Sequence, residues 1–296
     1  MSVFKGICTA LITPFKNGEI DFEAMGRIID FQIDSGINAL LVCGTTGEPA
    51  TMSEAEKLSL IKFSLDRIAG RVPLIVGAGG NNTAAVISFV KQIQEMDISA
   101  LLCVTPYYNK ATPEGLVRHY RAISESTALP VIVYNVPSRT GVNIQPSTLC
   151  RLAEIENIVA IKEASANMAQ AVEMMSLCGD KIDMYSGCDE INVPIFSIGG
   201  IGAISVLSNI MPAETVKMSD LYFEGDVYSA AKIQKKLMPV IKALFSEVNP
   251  IPVKTAASLM GLCRDEMRLP LTPMENKQNL VQVMKEFSLG DFLGDF

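Results

Sequence analysis

Residues 158–162 read Ile-Val-Ala-Ile-Lys, a short apolar run that ends on a lysine. The apolar residues are continuous rather than alternating, which is the pattern of a strand buried on both faces of a parallel sheet. Seven further short runs recur along the chain, at residues 6–13, 39–44, 73–77, 100–105, 130–134, 183–186 and 202–207. The sequence therefore predicts eight buried parallel strands.

The segments between these runs are amphipathic and carry the signals of helix ends. These signals are a capping box at Ser53-Glu-Ala-Glu56, N-caps at Thr83 and Thr112, prolines in first turns at Pro113, Pro146 and Pro212, and a stop at Gly36. Strands thus alternate with helices, which predicts a closed (β/α)8 TIM barrel, and a doubly wound open sheet is the structural alternative. The runs stop after residue 224. We therefore expect a barrel at residues 1–224 and a C-terminal helical extension at residues 225–296.

Composition limits the class of protein. The chain has 296 residues, 49% of them hydrophobic, and predicts a soluble globular protein. No apolar run reaches the roughly 18 residues of a membrane span, and the N-terminus lacks the pattern of a signal peptide, so we expect a cytoplasmic location. The seven cysteines form no C-x-x-C pair and are typical of reduced core residues. A net charge of −7 without a basic segment predicts neither nucleic acid nor membrane partners.

Metal and cofactor chemistry have no support in the sequence. The only histidine, His119, lies in a predicted helix, so a histidine-ligated metal or a histidine-based triad is not available. We interpret it as a surface or helix-packing residue. Neither glycine cluster, at residues 77–80 and 199–202, completes a nucleotide-binding motif. We therefore expect no metal and no cofactor.

Unusual polar residues follow the runs at their C-terminal ends, where barrels carry their active sites. Lys162 ends the sixth run and Tyr134 ends the fifth. Because side chains alternate along a strand, Lys162 faces the same side as Ala160, and Tyr134 the same side as Ile132. Neighbouring strands should then bring Lys162 and Tyr134 together.

A buried lysine at this position has two interpretations. Low dielectric disfavours the ammonium form, which makes the neutral amine available for a Schiff base with a carbonyl substrate. Alternatively, Lys162 is a paired barrel lysine bonded to Glu163 or Asp189, although Glu163 is expected on the opposite face of the strand. The pattern alone leaves both open. Tyr134 is by itself also compatible with an aromatic residue that closes the barrel mouth, and residues 44–47 with a plain turn or a carboxylate cradle.

Five motifs carry a family resemblance: Gly44-Thr-Thr-Gly-Glu48, Thr105-Pro-Tyr-Tyr-Asn109, Tyr134-Asn-Val-Pro-Ser-Arg-Thr-Gly141, Ile161-Lys-Glu-Ala164 and Asn249-Pro-Ile-Pro-Val-Lys254. Together, over essentially the whole chain, they resemble the dihydrodipicolinate synthase family. The wider superfamily includes N-acetylneuraminate lyase and related pyruvate-dependent aldolases. Residues 138–141 favour the synthases over the sugar-acid lyases. The alternatives are such a sugar-acid lyase, or a non-catalytic barrel that binds a small carboxylate.

The resemblance implies the condensation of pyruvate with L-aspartate 4-semialdehyde, at the entry to diaminopimelate and lysine biosynthesis. It implies a Schiff base at Lys162, proton relay by Tyr134, and Thr45 linking Tyr134 to Tyr108, which a neighbouring subunit contributes. The remaining implied site residues bind substrate: Thr46 holds the pyruvate carboxylate, Arg139 holds the carboxylate of the second substrate, and Gly187 and Ile204 line the pocket. The resemblance also implies a homotetramer built as a dimer of dimers.

A regulatory pocket is implied at Pro49, Lys57, Asn81, Ala85 and Tyr107. Lysine-inhibited members of the family have a histidine and a glutamate where this chain has Lys57 and Ala85. A carboxylate for the inhibitor's ammonium is therefore missing, and a like charge is present. We expect weak or no inhibition by lysine.

Overall fold

The computed structural model describes residues 2–290, and eight of the strands in this part of the chain form a closed parallel barrel. The strands are β1 (Gly6–Ala10), β2 (Phe15–Lys16), β3 (Glu19–Ile20), β4 (Ala39–Val42), β5 (Leu74–Gly77), β6 (Ala100–Val104), β7 (Val131–Asn135), β8 (Ile158–Glu163), β9 (Asp183–Ser186) and β10 (Gly202–Ser205). The barrel closes because β1 pairs with β4 on one side and with β10 on the other. The predicted TIM barrel is confirmed, and the open sheet is wrong.

Helices cover the outside of the barrel. They are α1 (Phe22–Asp34), α2 (Glu54–Ile68), α3 (Thr83–Ile93), α4 (Pro113–Ser124), α5 (Pro137–Thr140), α6 (Pro146–Leu152), α7 (Met168–Cys178), α8 (Asn192–Ser197), α9 (Pro212–Phe223), α10 (Val227–Leu244), α11 (Ile251–Leu259) and α12 (Gln278–Glu286). The last three follow the barrel as C-terminal helices. Met1 and residues 291–296 of the predicted extension lie outside the described residues. Within residues 2–290, every helix is too short or too polar to cross a membrane.

The helix ends follow the predicted signals with one exception. Ser53 and Glu56 form the capping box, and Thr112 caps α4. Thr83 is not an N-cap, because the Asn82 side chain accepts from the first amides of α3 and Thr83 is the first helical residue. Its hydroxyl instead lies 2.8 Å from Nδ1 of His119. His119 is buried between helices, and burial lowers its pKa to about 4, so the imidazole is a neutral packing group.

The barrel strands are buried on both faces, as the continuous apolar runs predicted. One core layer fills the interior and includes Cys8, Leu41, Ile75, Ile132 and Tyr185, among other residues. The other lies between the strands and the surrounding helices. At the N-terminal end of the interior the rings of Phe4 and Tyr185 stack with centroids 4.2 Å apart, and the Tyr185 hydroxyl donates to the Phe4 carbonyl at 2.8 Å. This pair fills the base of the barrel.

A buried ion pair joins the C-terminal helices to the loop after β4. Lys254 of α11 is completely buried and binds the Glu48 carboxylate, while its Nζ also donates to the Glu266 carbonyl at 2.9 Å. The Lys254 ammonium lies 4.2 Å from the Phe15 ring centroid. Burial lowers the pKa of Lys254, and the Glu48 carboxylate opposes this effect. The extension is thus fastened to the C-terminal rim of the barrel.

A second charged contact reinforces the same junction. Arg268 binds the Glu56 carboxylate at the start of α2, and its guanidinium also donates to the carbonyls of Gly18 and Thr51. Hydrogen bonding from Arg268 lowers the pKa of Glu56 to about 2. Strands of the hairpin β2–β3, the loop after β4 and the C-terminal segment therefore meet in one polar junction.

We expect Lys254→Met to lower the free energy of unfolding by about 3–5 kcal/mol, because it leaves the Glu48 carboxylate buried without its cation. Urea titration followed by circular dichroism measures this change. Lys181→Met is the matched control, since Lys181 pairs with Glu154 on the surface and its loss should leave the midpoint nearly unchanged. An unaltered midpoint for Lys254→Met would contradict a structural role for the pair.

Candidate active site

Lys162 and Tyr134 lie side by side at the C-terminal end of the barrel. They are register partners across β7 and β8, and Nζ of Lys162 is 4.4 Å from the Tyr134 ring centroid. Lys162 is only 5% exposed, and Tyr134 belongs to the interior core layer. The predicted common face is therefore confirmed. A register irregularity between Val131 and Ile132 precedes this pairing and sets which residues of β8 face inward.

The ion-pair interpretation of Lys162 does not hold among residues 2–290. Glu163 points to the opposite face, where its carboxylate accepts from Asn135 Nδ2 at 2.8 Å and from the Ser165 amide at 2.6 Å. The Asp189 carboxylate accepts from the amides of residues 206 and 207 at 2.9 and 2.8 Å. Both carboxylates are thus occupied elsewhere. Lys162 has no salt bridge in the described part of the chain, which leaves its amine available for reaction.

The turn after β4 carries the two predicted threonines. Residues 45–47 form one 3₁₀ turn, and Glu48 follows it in the left-handed conformation, with φ of 55°. Thr46 is buried, and its hydroxyl oxygen accepts from Asn249 Nδ2 at 3.0 Å. Thr13 donates to the Gly47 carbonyl at 2.7 Å and holds the turn from below. The turn is therefore fixed from two sides, by the segment that follows β1 and by the C-terminal segment.

Arg139 lies on α5 and is held by the same C-terminal segment. Its Nη2 donates to the Asn249 carbonyl at 2.9 Å. Arg139, Thr45 and Tyr134 line a cavity of about 620 Å³ at the barrel mouth. Asn249 thus contacts both Thr46 and Arg139, a connection that joins two predicted binding residues from different loops.

Gly187 and Ile204 adjoin the lysine from the other side. Ile204 is buried in the interior layer. A Cβ atom built on Gly187 would lie 3.0 Å from Cε of Lys162 and 2.6 Å from Cβ of Ala164. Only glycine fits there without displacing the lysine. The neighbouring Cys188 is a thiol whose burial raises its pKa to about 12, so it stays protonated.

Tyr108 is the one predicted catalytic residue that the single chain does not bring into the site. Its side chain is 89% exposed, and its backbone has φ of 72°, an uncommon conformation for a tyrosine. The adjacent Tyr107 is also exposed and accepts at its carbonyl from Asn81 Nδ2 at 3.2 Å. In the single chain Tyr108 is therefore exposed and does not line the cavity at the barrel mouth.

The predicted regulatory residues are brought together. Pro49, Lys57, Asn81, Ala85 and Tyr107 all line the same cavity as Tyr134 and Arg139. The Lys57 ammonium lies 5.8 Å from the Phe89 ring centroid within it. The predicted regulatory residues and the residues at the barrel mouth thus line one continuous cavity in this chain. Among the described residues, no cluster of side chains is suited to hold a metal ion.

Sequence reasoning missed the residues that support the site from outside. Asn249 and Lys254 stand in a motif that carried the family resemblance, but no role was derived for either. Asn135 appears only within a strand-end motif, and Glu163 is considered only as a possible partner of Lys162. The side chains of Asn135 and Glu163 face away from the cavity and bind each other across 28 positions of the sequence. No local pattern signals such a contact.

A (β/α)8 barrel with a buried lysine that forms no salt bridge within residues 2–290, beside a tyrosine at the carboxyl ends of its strands, has the features of the lysine-dependent lyases. The chain belongs to the dihydrodipicolinate synthetase family, whose model matches residues 3–287.

Individual relatives agree with this assignment. A protein from Caldicellulosiruptor bescii named 4-hydroxy-tetrahydrodipicolinate synthase is 49% identical over 292 residues, covering 98% of this chain and 99% of the relative. The crystal structure of dihydrodipicolinate synthase from Thermotoga maritima is 44% identical, has a TM-score of 0.95, and covers 97% of this chain and 99% of that one. A monomeric dihydrodipicolinate synthase variant is 45% identical, with a TM-score of 0.95 and coverage of 97% and 98%.

We expect Gly187→Ala to lower the free energy of unfolding by about 1–3 kcal/mol, because the new methyl group overlaps Ala164 and Lys162. Thermal unfolding measures the change, and a crystal structure of the variant should show the Lys162 side chain displaced. Gly26→Ala in α1 is the control, since its Cβ would meet its nearest neighbour at 3.6 Å. That substitution should be neutral or stabilise the helix by up to about 1 kcal/mol. Equal behaviour of the two variants would contradict the close contact at Gly187.

Proposed function

We propose that this chain condenses pyruvate with L-aspartate 4-semialdehyde, the reaction of a 4-hydroxy-tetrahydrodipicolinate synthase, in diaminopimelate and lysine biosynthesis. The observation that carries the proposal is the buried Lys162 amine, free of any carboxylate among residues 2–290 and 4.4 Å from the ring centroid of Tyr134. Family membership and the names of relatives near half identity support it. As a biosynthetic enzyme it would act in the cytoplasm, which cell fractionation tests.

The chemistry begins at Lys162. Its neutral amine adds to the C2 carbonyl of pyruvate, and loss of water gives an iminium. A proton leaves the methyl carbon to give an enamine. The enamine carbon forms a bond to the aldehyde carbon of the second substrate, the aldehyde oxygen takes up a proton to become a hydroxyl, and the iminium at Lys162 forms again. The amino group of the second substrate then adds to the iminium carbon, which closes the ring. After a proton passes to the lysine nitrogen, the bond from this carbon to Lys162 breaks, which regenerates the amine and leaves a cyclic imine.

Each of these steps moves a proton, and Tyr134 is the phenol beside the reacting amine. We assign proton relay to Tyr134, with Thr45 linking it to Tyr108 of a neighbouring subunit. This assignment uses hydroxyl groups only. It requires no histidine and no metal.

Both substrates present a carboxylate to a chain of net charge −7, so local donors at each carboxylate have to outweigh the overall field. Asn249 Nδ2 donates to the Thr46 hydroxyl oxygen, which leaves the Thr46 hydroxyl proton for the pyruvate carboxylate. The Arg139 guanidinium at the mouth suits the carboxylate of the second substrate. Gly187 and Ile204 form the apolar wall of the pyruvate pocket.

Assembly completes the proposed site. Because Tyr108 is exposed and does not line the cavity of its own chain, we propose that it enters the site of a second copy within a homotetramer, a dimer of dimers. Because one structural neighbour is a monomeric variant, the number of subunits in the assembly of this chain has to be measured directly.

We expect incubation with pyruvate and borohydride to add a reduced pyruvate adduct at Lys162, detected by peptide mass mapping. Lys57, which lines the cavity together with Tyr134, is the internal control and should stay unmodified. Tyr134→Phe should retain the adduct but lower kcat by about 10²–10⁴ through loss of proton relay. An unmodified Lys162 would exclude this mechanism and favour a non-catalytic carboxylate binder. A substrate screen against N-acetylneuraminate and keto-deoxy sugar acids separates the synthase from a sugar-acid lyase.

Two inactive variants should complement each other if Tyr108 acts across an interface. Co-expressed Tyr108→Phe and Lys162→Met chains should form mixed dimers in which one of the two sites has both intact residues. Activity should then reappear, whereas each variant expressed alone stays nearly inactive. Sedimentation velocity reports the assembly itself. Mixed dimers without activity, or a fully active monomer, would contradict the shared site.

We expect free lysine at sub-millimolar concentration to leave the initial rate unchanged. The Lys57 ammonium would repel that of the inhibitor, and Ala85 supplies no carboxylate; Glu54 also lines the cavity, but its carboxylate accepts from Gln92. Steady-state assays with and without lysine measure the effect. The double variant Lys57→His/Ala85→Glu should gain sensitivity. Potent inhibition of the wild-type enzyme would show that this cavity binds lysine by other contacts.

A further inference from the structure

A buried amide–carboxylate pair lies directly behind Tyr134 and Lys162. Asn135 follows Tyr134, Glu163 follows Lys162, and the two are register partners on the outer face of the strands. Asn135 Nδ2 donates to Glu163 Oε2 at 2.8 Å. Asn135 is completely buried and Glu163 is 2% exposed. This hydrogen bond therefore joins the same two strand ends that carry Tyr134 and Lys162, on the opposite face of the strands.

The hydrogen bonds of this pair are directed at backbone and amide groups of the two strand ends. Glu163 Oε1 accepts from the Ser165 amide at 2.6 Å, and Asn135 Oδ1 accepts from the Ile144 amide at 2.9 Å. Asn135 Nδ2 also donates to Asn143 Oδ1 at 2.9 Å. Glu163 has no salt bridge among residues 2–290, and its burial raises the pKa of the carboxyl group. A carboxylate buried without a cation contributes little to the free energy of unfolding, so the groups that its hydrogen bonds hold in place indicate its role.

The backbone ladder ends at these two residues. The Asn135 carbonyl accepts from the Ala164 amide at 2.9 Å, and the Glu163 carbonyl accepts from the Gly187 amide at 2.8 Å. Beyond this point the strands diverge into loops. The hydrogen bond between the Asn135 and Glu163 side chains links the two strands where their backbone hydrogen bonds end. Because Gly187 donates to the Glu163 carbonyl, this link also holds the backbone of Gly187, which packs on Cε of Lys162.

We propose that Asn135 and Glu163 are positioning residues, which hold the strand ends so that the Lys162 amine stays against Tyr134. This role rests on the proposed function of Lys162 and Tyr134. Neither residue touches the cavity. A displacement of about 1 Å at a reacting group can lower the rate about a hundredfold. Greater freedom of movement at these strand ends would therefore slow Schiff-base formation, although every reacting group is still present.

The pair can be broken and rebuilt with inverted polarity. Glu163→Gln places an amide donor against either the Asn135 amide or the Ser165 amide hydrogen, and Asn135→Asp places two carboxyl groups side by side. In the double variant Asn135→Asp/Glu163→Gln, Gln at 163 accepts from the Ser165 amide and donates to Asp at 135, which still accepts from the Ile144 amide. The Asn143 amide must then rotate so that it donates to the new carboxylate at position 135. Asn143 Nδ2 and Oδ1 contact Gln170 Oε1 and Nε2 at 2.7 and 3.1 Å, so the Gln170 amide has to rotate with it. The 3.4 Å contact of Gln170 Nε2 with the Ile144 carbonyl is then lost.

Gln170→Ala supplies the matched control. Gln170 is buried in the same polar network but bonds to Asn143 and not to either strand end. Loss of the Gln170 side chain should lower the free energy of unfolding without changing the positions of the ends of β7 and β8. Urea midpoints for all four variants separate stability from positioning.

The readout is the first-order rate at which pyruvate and borohydride trap Lys162. We expect Glu163→Gln and Asn135→Asp each to slow trapping about tenfold or more, and the double variant to return to within about threefold of wild type. Gln170→Ala should trap at the wild-type rate despite a lower urea midpoint. Single variants that trap normally, or a Gln170→Ala variant that is slowed equally, would overturn the proposal. If Asn135→Asp does not fold, Glu163→Gln and the double variant decide.

Crystal structures of the same variants keep the two proposals separable. If wild-type Lys162 is not trapped by pyruvate, the proposed function fails, and the positioning role is decided by the distance from Lys162 Nζ to the Tyr134 ring. That distance is 4.4 Å here. It should widen in Glu163→Gln and stay constant in Gln170→Ala and the double variant. An unchanged distance in Glu163→Gln would overturn the positioning role.

Discussion

The register between β7 and β8 is the constraint on which the site depends. Parallel pairing places Tyr134 opposite Lys162 and, one step further, Asn135 opposite Glu163. Because side chains alternate, one residue of slippage would turn the lysine out of the barrel and the carboxylate into it. The irregularity between Val131 and Ile132 is therefore part of the site, although it lies at the other end of the strands.

Charge is distributed around this register in a consistent way. The interior layer of the barrel is apolar, with Lys162 at its upper end, while Glu163, Asp189 and Glu48 are each bound to donors outside the interior. Among the described residues, Lys162 therefore forms no salt bridge, and these three carboxylates each have other partners. The C-terminal helices contribute to this arrangement, because Lys254 occupies Glu48 and Asn249 contacts both Thr46 and Arg139.

The barrel and the pairing of Lys162 with Tyr134 were predictable from the sequence because both follow from the local spacing of side chains. Continuous apolar runs identified the eight strands, and alternation put Lys162 and Tyr134 on one face. Strand ends were less accurate, since β1 ends at Ala10 rather than Thr13 and β10 at Ser205 rather than Leu207. Asn82 displaced Thr83 as a cap because adjacent residues compete for the same amides. Contacts such as Asn249 with Thr46 join residues about two hundred positions apart, and no local pattern encodes them.

The stacked rings of Phe4 and Tyr185 affect how small molecules enter and leave the barrel. Among the described residues these rings fill the base of the barrel, whereas the cavity lined by Arg139 and Tyr134 lies at the opposite end, where the strand that carries Lys162 also ends. A molecule that enters at that end and stops at Lys162 lies below any second molecule that enters after it. For the proposed reaction, this layout would make pyruvate the first substrate to bind and would require the product to leave by the end at which both substrates entered.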